Sequence, residues 1–433
     1  MTTTPTPPTA LELDRAHVFH SWSAQASLAP LTIAGAAGCE VWDDAGRRYL
    51  DFSSQLVNTN IGHQHPDVVD AIVAQARTLT TVAPGHANLA RGQAARAILA
   101  HAPASASKVF FTNGGADANE NAIRMARLHT GRDKIVSGYR SYHGNTGAAV
   151  VATGDWRRQP NEYARGHVHV FTPYLLRSEF WATTPEEERD RALEHLERVI
   201  VAEGPGTVAG ILLETVPGTA GVLVPPPGYL AGVREIADRY GIVLILDEVM
   251  AGFGRTGRWF AFEDHLPGDV APDLVTFAKG VNSGYVPAGG VIVSEEIART
   301  FDDRVFPGGL TYSGHPLAMA AIVATIGAME RDDVVGNARR IGEQHLGPGL
   351  RALAARHPSV AEVRGVGVFW ALELDASPAE MAAVKAACLR RGLLPFLADN
   401  RIHAVPPCVV TPDDVARALA TYDEVLTELE ENR

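Results

Sequence analysis

Cysteine is scarce in this chain: Cys39, Cys388 and Cys408 are the only three in 433 residues. Their odd number and irregular spacing fit neither a disulfide framework nor a metal site, and a reducing, cytoplasmic setting is expected. No run approaches eighteen uninterrupted apolar residues, so no membrane-spanning helix and no membrane partner are expected. The first ten residues are rich in Thr and Pro and have neither the cationic nor the apolar part of a secretory leader. Positive charge is also short. With 38 Lys and Arg against 50 Asp and Glu the formal net charge is −12, and no basic run tracks a phosphate backbone, which excludes nucleic acid as a partner. A spaced Gly-x-Gly-x-x-Gly with a distal acid is missing too, which argues against a dinucleotide-binding dehydrogenase.

What is present describes a globular protein, with 46% apolar and 20% charged residues. A chain this long exceeds the roughly 250 to 300 residues at which one core stops growing, so two domains are expected. Residues 1 to about 12 read as a mobile tail, and Trp22 to Tyr49 alternates Gly with short β-like runs, the mark of a hairpin. From about residue 68 helical and strand patterns alternate. Helices are expected over Val68–Leu79, Ala118–His129, Pro185–Val201 and Tyr229–Tyr240, and strands over Lys108–Thr112, Lys134–Ser137, Ala148–Ala152 and Ala209–Leu213. Such alternation predicts an α/β fold with a mostly parallel sheet and helical crossovers. The expected division is residues 1–67, 68–325 and 326–433, the last beginning where composition shifts to Ala/Arg-rich helices.

Two further apolar runs end in charges: Gly241-Ile-Val-Leu-Ile-Leu-Asp247 and Asp273-Leu-Val-Thr-Phe-Ala-Lys279. A buried Asp and Lys are costly unless each has a partner, and a cofactor with an aldehyde and a basic ring nitrogen supplies both. Pyridoxal phosphate is such a cofactor. At about 4 Å and an effective dielectric near 20, an Asp247 carboxylate would hold a ring N–H⁺ by about 4 kcal/mol. Glu214 closes a third strand, and ligands of open α/β sheets sit beyond such carboxyl ends. Glu248 is ambiguous, because alternate strand residues face opposite ways. Asn113-Gly114-Gly115-Ala116 precedes a helix and suits a phosphate, though glycine pairs also make ordinary turns. Tyr142 follows another strand and suits a ring stack or a simple surface position.

At this point the chain resembles the class III, fold-type I, pyridoxal-phosphate-dependent aminotransferases of the ω-amino-acid subgroup. The matching segments are Trp42-Asp43, Asn60-Ile-Gly-His63, Thr112 to Glu120, Tyr142 to Gly144, Asp247 to Gly257, Phe277-Ala-Lys279-Gly280 and Thr311 to Pro316. They span nearly the whole sequence. The resemblance implies a large domain built on a seven-stranded-type sheet and a small α/β domain drawn from both termini. It also implies that Lys279 is the Schiff-base lysine, that Asp247 pairs with the ring nitrogen, and that Val249 and Tyr142 cover the two ring faces. Gly115 and Ala116 would hold the phosphate with Thr311 of a neighbouring subunit, and Glu214 would lie near the ring oxygen. A homodimer with a shared active site follows, with tetramers left open; no metal is implied. Arg255 and Arg258 read as exposed charges on a structural loop.

The substrate positions depart from the family pattern. Relatives that take glutamate-like substrates carry a Glu and an Arg where this chain has Thr219 and His403, and a mobile Arg of other relatives falls at Phe396. Arg401 is the nearest replacement, since a guanidinium grips a carboxylate or sulfonate in two places; an exposed arginine at a turn explains it as well. Trp22, Gln55 and Leu56 are the other substrate candidates; Gln55 and Asn58 add polar groups suited to an anionic substrate end, and ordinary turn or strand hydrogen bonds explain them as well. The surroundings of Trp22 and the Val405-Pro-Pro-Cys408 segment are similar to taurine and related ω-amino-acid aminotransferases. The expected reaction moves a terminal amino group from β-alanine, taurine, 4-aminobutyrate or a diamine to pyruvate or 2-oxoglutarate. A racemase or aminomutase of the same family, and a non-catalytic protein that kept the fold, are the competing expectations.

Overall fold

The runs of β-branched and aliphatic residues that pointed to buried strands occupy the middle of one sheet. In the computed structural model, which describes residues 8–161 and 164–433, seven strands pair in the order Ala106–Thr112, Gly289–Ser294, Leu274–Phe277, Val243–Asp247, Val208–Glu214, Lys134–Gly138, His167–Val170. Only Gly289–Ser294 runs antiparallel to its neighbours. Val208–Glu214, Val243–Asp247 and Leu274–Phe277 are buried at every position, because helices cover both faces of a parallel sheet.

Local chemistry sets the helix limits. Thr184 caps Pro185–Glu203 by accepting the Glu187 N–H, with Pro in the first turn where no donor is lost. Tyr229–Tyr240 ends at Gly241 and Gly115–Thr130 at Gly131, both left-handed. The chain ends share a second region. A hairpin of Ile33–Ala37 and Glu40–Asp43 continues into Arg48–Asp51, which pairs in parallel with Leu393–Leu394. Beside it Val360–Val366, Phe369–Leu374, Arg401–Ala404 and Phe396–Ala398 form an antiparallel sheet.

Three expectations need correction. Ala148–Ala152 belongs to a helix, Gly147–Ala152, not a strand; a short apolar run buried on all sides reads alike in both forms. The last residues of the expected tail belong instead to a helix, Ala10–His17, whose start carries a Thr9 and Glu12 capping box; residues 1–7 of that tail lie outside the described residues. Arg255 is fully buried instead of exposed. Its guanidinium donates to Ser54 Oγ, Asn60 Oδ1 and the carbonyls of Val368 and Pro406. Four acceptors from three distant segments replace water, so the charge can stay inside. Among the described residues no helix is long and apolar enough to cross a membrane, and no cluster could hold a metal ion.

Candidate active site

Parallel register brings the charges together. Glu214 sits opposite Asp247, and Asp247 opposite Thr276. Lys279 follows three residues later, past the end of its strand, with φ at +44°. A non-glycine residue in the left-handed region is strained, and such strain gathers at functional sites.

Asp247 is held from both sides. One oxygen accepts from Asn119 Nδ2 at 2.7 Å and His143 Nδ1 at 2.8 Å, and the other accepts the Val249 N–H at 3.0 Å. Neither Asn119 nor His143 was singled out as a functional residue. The signals were available: Asn119 lies one helical turn beyond Gly115, and His143 stands inside the Tyr-His-Gly turn. Glu214 accepts the N–H groups of Tyr142 and Gly218. Burial pushes its carboxyl above the usual range, while His143 pulls it down and Asp247 adds to the rise. Glu248 faces away, accepting from Thr215 Oγ1 and the N–H groups of Ala261 and Phe262. Burial lifts it to about 7. That burial and those partners mark it as a structural group.

Burial lowers the Lys279 amine to about 8, despite the attraction of Glu214 and Asp247 and with smaller pushes from Arg255 and Arg157. Lys279 forms part of the wall of two cavities. The narrower, about 360 Å³, is lined by Asp247, Val249, Asn58 and the start of helix Gly115–Thr130. The wider, about 680 Å³, is lined by Trp22, Leu56, Arg157, Phe396 and Arg401. Tyr142, Thr219 and Met250 are common to both.

The narrow cavity suits a phosphorylated, ring-bearing cofactor on its own geometry. Gly114 offers the helix no side-chain cap, so the first N–H groups and the positive end of the dipole face the cavity. A Cβ at Gly115 would come within 2.9 Å of Val249 Cγ1, so only glycine lets the helix approach this side chain. Asn58 Oδ1 and His143 Nε2 are buried with no partner among the described residues.

The remaining expected residues fall as follows. Trp22 is exposed and meets the Tyr142 ring edge-on at 6.4 Å. Leu56 lines the wider cavity, while Gln55 lines neither; its amide donates to Asp51. Arg401 lines the wider cavity, paired with Asp399. Its Nε is buried with no partner among the described residues. His403 is fully buried with both ring nitrogens unpartnered, and burial holds it down at about 3, so it is neutral. Thr311 is exposed and lines neither of its own chain's two cavities.

Comparison with known proteins bears on the family and the fold. A family model described as class-III aminotransferase matches residues 22–426. The acetylornithine aminotransferase of Methanothermobacter thermautotrophicus is 35% identical over 97% of this chain and 98% of its own length. A taurine–pyruvate aminotransferase of Rhodobacter capsulatus is 32% identical over 96% of each chain. Among solved structures, a taurine:2-oxoglutarate aminotransferase from Bifidobacterium kashiwanohense, in complex with pyridoxal phosphate and glutamate, superposes with a TM-score of 0.93. It shares 41% identity over 97% of both chains.

Proposed function

Because this chain belongs to the class-III aminotransferases, which use pyridoxal 5'-phosphate, we propose that it moves a terminal amino group from an ω-amino acid or amine to pyruvate or 2-oxoglutarate. The donors in view are taurine, β-alanine, 4-aminobutyrate and diamines. The observation that carries the reading is the position of Lys279 in the wall of two cavities, one lined by Asp247 and the start of a helix and the other by Arg157 and Arg401.

When bound, the cofactor supplies an aldehyde for the amine and a protonated ring that draws off electrons. The chain's own groups do the rest. Asp247, fixed by Asn119 and His143, would keep a proton on the ring nitrogen. Gly115 and Ala116 would hold the phosphate through their N–H groups, with Thr311 of a second subunit completing the set. Val249 and Tyr142 would flank the ring, and Glu214 fixes the backbone of Tyr142. The Lys279 Nζ, neutral when buried, would take the proton from the carbon bearing the amine and hold it for return. The assembly is a cytoplasmic homodimer, and residues 68–325 form its cofactor domain, with 1–67 and 326–433 supplying the small domain.

The test is spectral. Donor alone should shift the holoenzyme's visible band to that of the aminated cofactor, and pyruvate or 2-oxoglutarate should restore it. A racemase or aminomutase would turn over without any 2-oxo acid, and that result would replace this reading. Arg401→Ala should raise the KM of acidic donors roughly tenfold. An unchanged KM for every acidic substrate removes Arg401 from the site.

A further inference from the structure

Glu373, on the strand Phe369–Leu374, is a fully buried carboxylate with no part in the chemistry above. Three donors converge on it. One oxygen accepts from Arg177 Nη2, and the other accepts the Tyr174 hydroxyl and, at 2.8 Å, Arg364 Nη2. Burial alone would push this carboxyl up, but the bonds from Tyr174 and Arg364 hold it below the usual range. Burial and the bond to Glu373 push the Tyr174 hydroxyl up to about 12, so it keeps its proton and stays a donor. Removing one partner would leave a buried charge or hydroxyl short of its match.

The donors come from separate segments. Tyr174 and Arg177 follow the strand His167–Val170 of the large sheet, and both line the wider cavity. The Tyr174 N–H donates to Glu188 at 2.7 Å, which ties this loop to helix Pro185–Glu203. Arg364 stands on the strand Val360–Val366 of the C-terminal sheet. Its Nε donates at 2.6 Å to the carbonyl of Gly221, and its guanidinium carbon lies 5.0 Å from the centre of the Tyr174 ring. Gly221 has φ at +114°, and a Cβ there would come within 2.4 Å of Arg364 and 2.6 Å of Arg401, so only glycine lets the loop pass these two arginines. Its neighbours Thr219 and Ala220 line the wider cavity. Glu373 also sits opposite Arg401 in antiparallel register, which puts both side chains on one face of the C-terminal sheet. Three walls of the wider cavity, the loops 172–177 and 217–222 and the strand Arg401–Ala404, therefore meet around one carboxylate.

We propose that Glu373 is a positioning residue for the substrate cavity: with Tyr174 and Arg364 it clamps two loops of the large sheet onto the C-terminal sheet and fixes the cavity's width before a substrate arrives. A preformed wall binds donor and 2-oxo acid without first having to be ordered, so loosening it weakens every substrate alike, whatever its charge. This deepens the amino-transfer reading and rests on it.

The test compares the holoenzyme with Tyr174→Phe, which keeps the ring and removes one bond to Glu373, and with Glu373→Gln, which keeps the shape and removes the charge. In both variants KM should rise roughly tenfold or more for an acidic donor, for the 2-oxo acid and for an amine without an acid group, while kcat stays within about twofold, because Lys279 and Asp247 are untouched. Backbone hydrogen exchange should quicken roughly tenfold over 172–177 in Tyr174→Phe, and over 217–222 as well in Glu373→Gln, with Val243–Asp247 unchanged. A KM rise confined to acidic substrates would overturn the proposal, since the cluster's arginines would then be meeting the substrate's anion. Unaltered KM with a lower kcat, or unchanged exchange in both loops, would overturn it too, since a residue that only supports the fold reduces the active fraction without moving KM. The exchange arm needs no donor, so failure of the wild-type enzyme to accept any ω-amino acid would count against the amino-transfer reading alone.

Discussion

Burial depresses Lys279 to about 8 although Glu214 and Asp247 pull the other way, so desolvation outweighs the attraction of the two carboxylates. Only the neutral amine attacks an aldehyde. The rate at which cofactor-free protein captures pyridoxal phosphate should therefore climb about tenfold per pH unit below 8 and flatten above it, as read by the growth of the visible band. A free lysine would keep climbing toward pH 10, and such a profile would show that burial does not set the reactivity. The same shift has a stability sign. Between about 8 and the ordinary lysine value the unfolded chain holds more protons than the folded one, so cofactor-free protein gains stability as pH rises through that window.

At the scale of elements, the site depends on how closely a helix start can approach a strand end. Gly115 lets helix Gly115–Thr130 approach Val249, which leaves the strand Val243–Asp247 two residues after Asp247. Gly115→Ala must displace Val249, whose other neighbour is the cofactor cavity. We expect cofactor retention to weaken by roughly ten- to a hundredfold, measured by dialysis against buffer, because overpacking costs about 1 to 3 kcal/mol. Unchanged retention would mean that Val249 has room to move. The elements that build this contact were legible in sequence, since both strands are continuous apolar runs ending in a charge and glycines precede the helix. Asn119 and His143 left only their places, one turn beyond Gly115 and inside the Tyr-His-Gly turn, because a polar residue's partner lies on another element and leaves no periodic trace. The run 148–152 misled for the reverse reason: with every side chain buried, helix and strand share one pattern. Arg255 misled because a buried charge becomes legible only once its acceptors at Ser54, Asn60, Val368 and Pro406 are found together.

For the whole molecule, Arg255 joins the N-terminal segment, the large sheet's loops and the C-terminal strands within one chain, whereas Thr311 lies exposed, away from its own chain's two cavities. If Thr311 serves a second copy, each active site is built from two chains, and defects in different chains should complement. A Lys279→Ala subunit has no reactive amine but carries an intact Thr311; a Thr311→Ala subunit has the reverse. In a mixed dimer the trans arrangement puts both lesions into one site and leaves the other fully wild-type. Mixing and refolding the two variants should therefore yield hybrids with wild-type cofactor affinity at half the sites, counted by titration of the visible band on tag-purified heterodimers. If Thr311 served its own chain, every site in the hybrid would carry one lesion, and no site of wild-type affinity would appear at any mixing ratio.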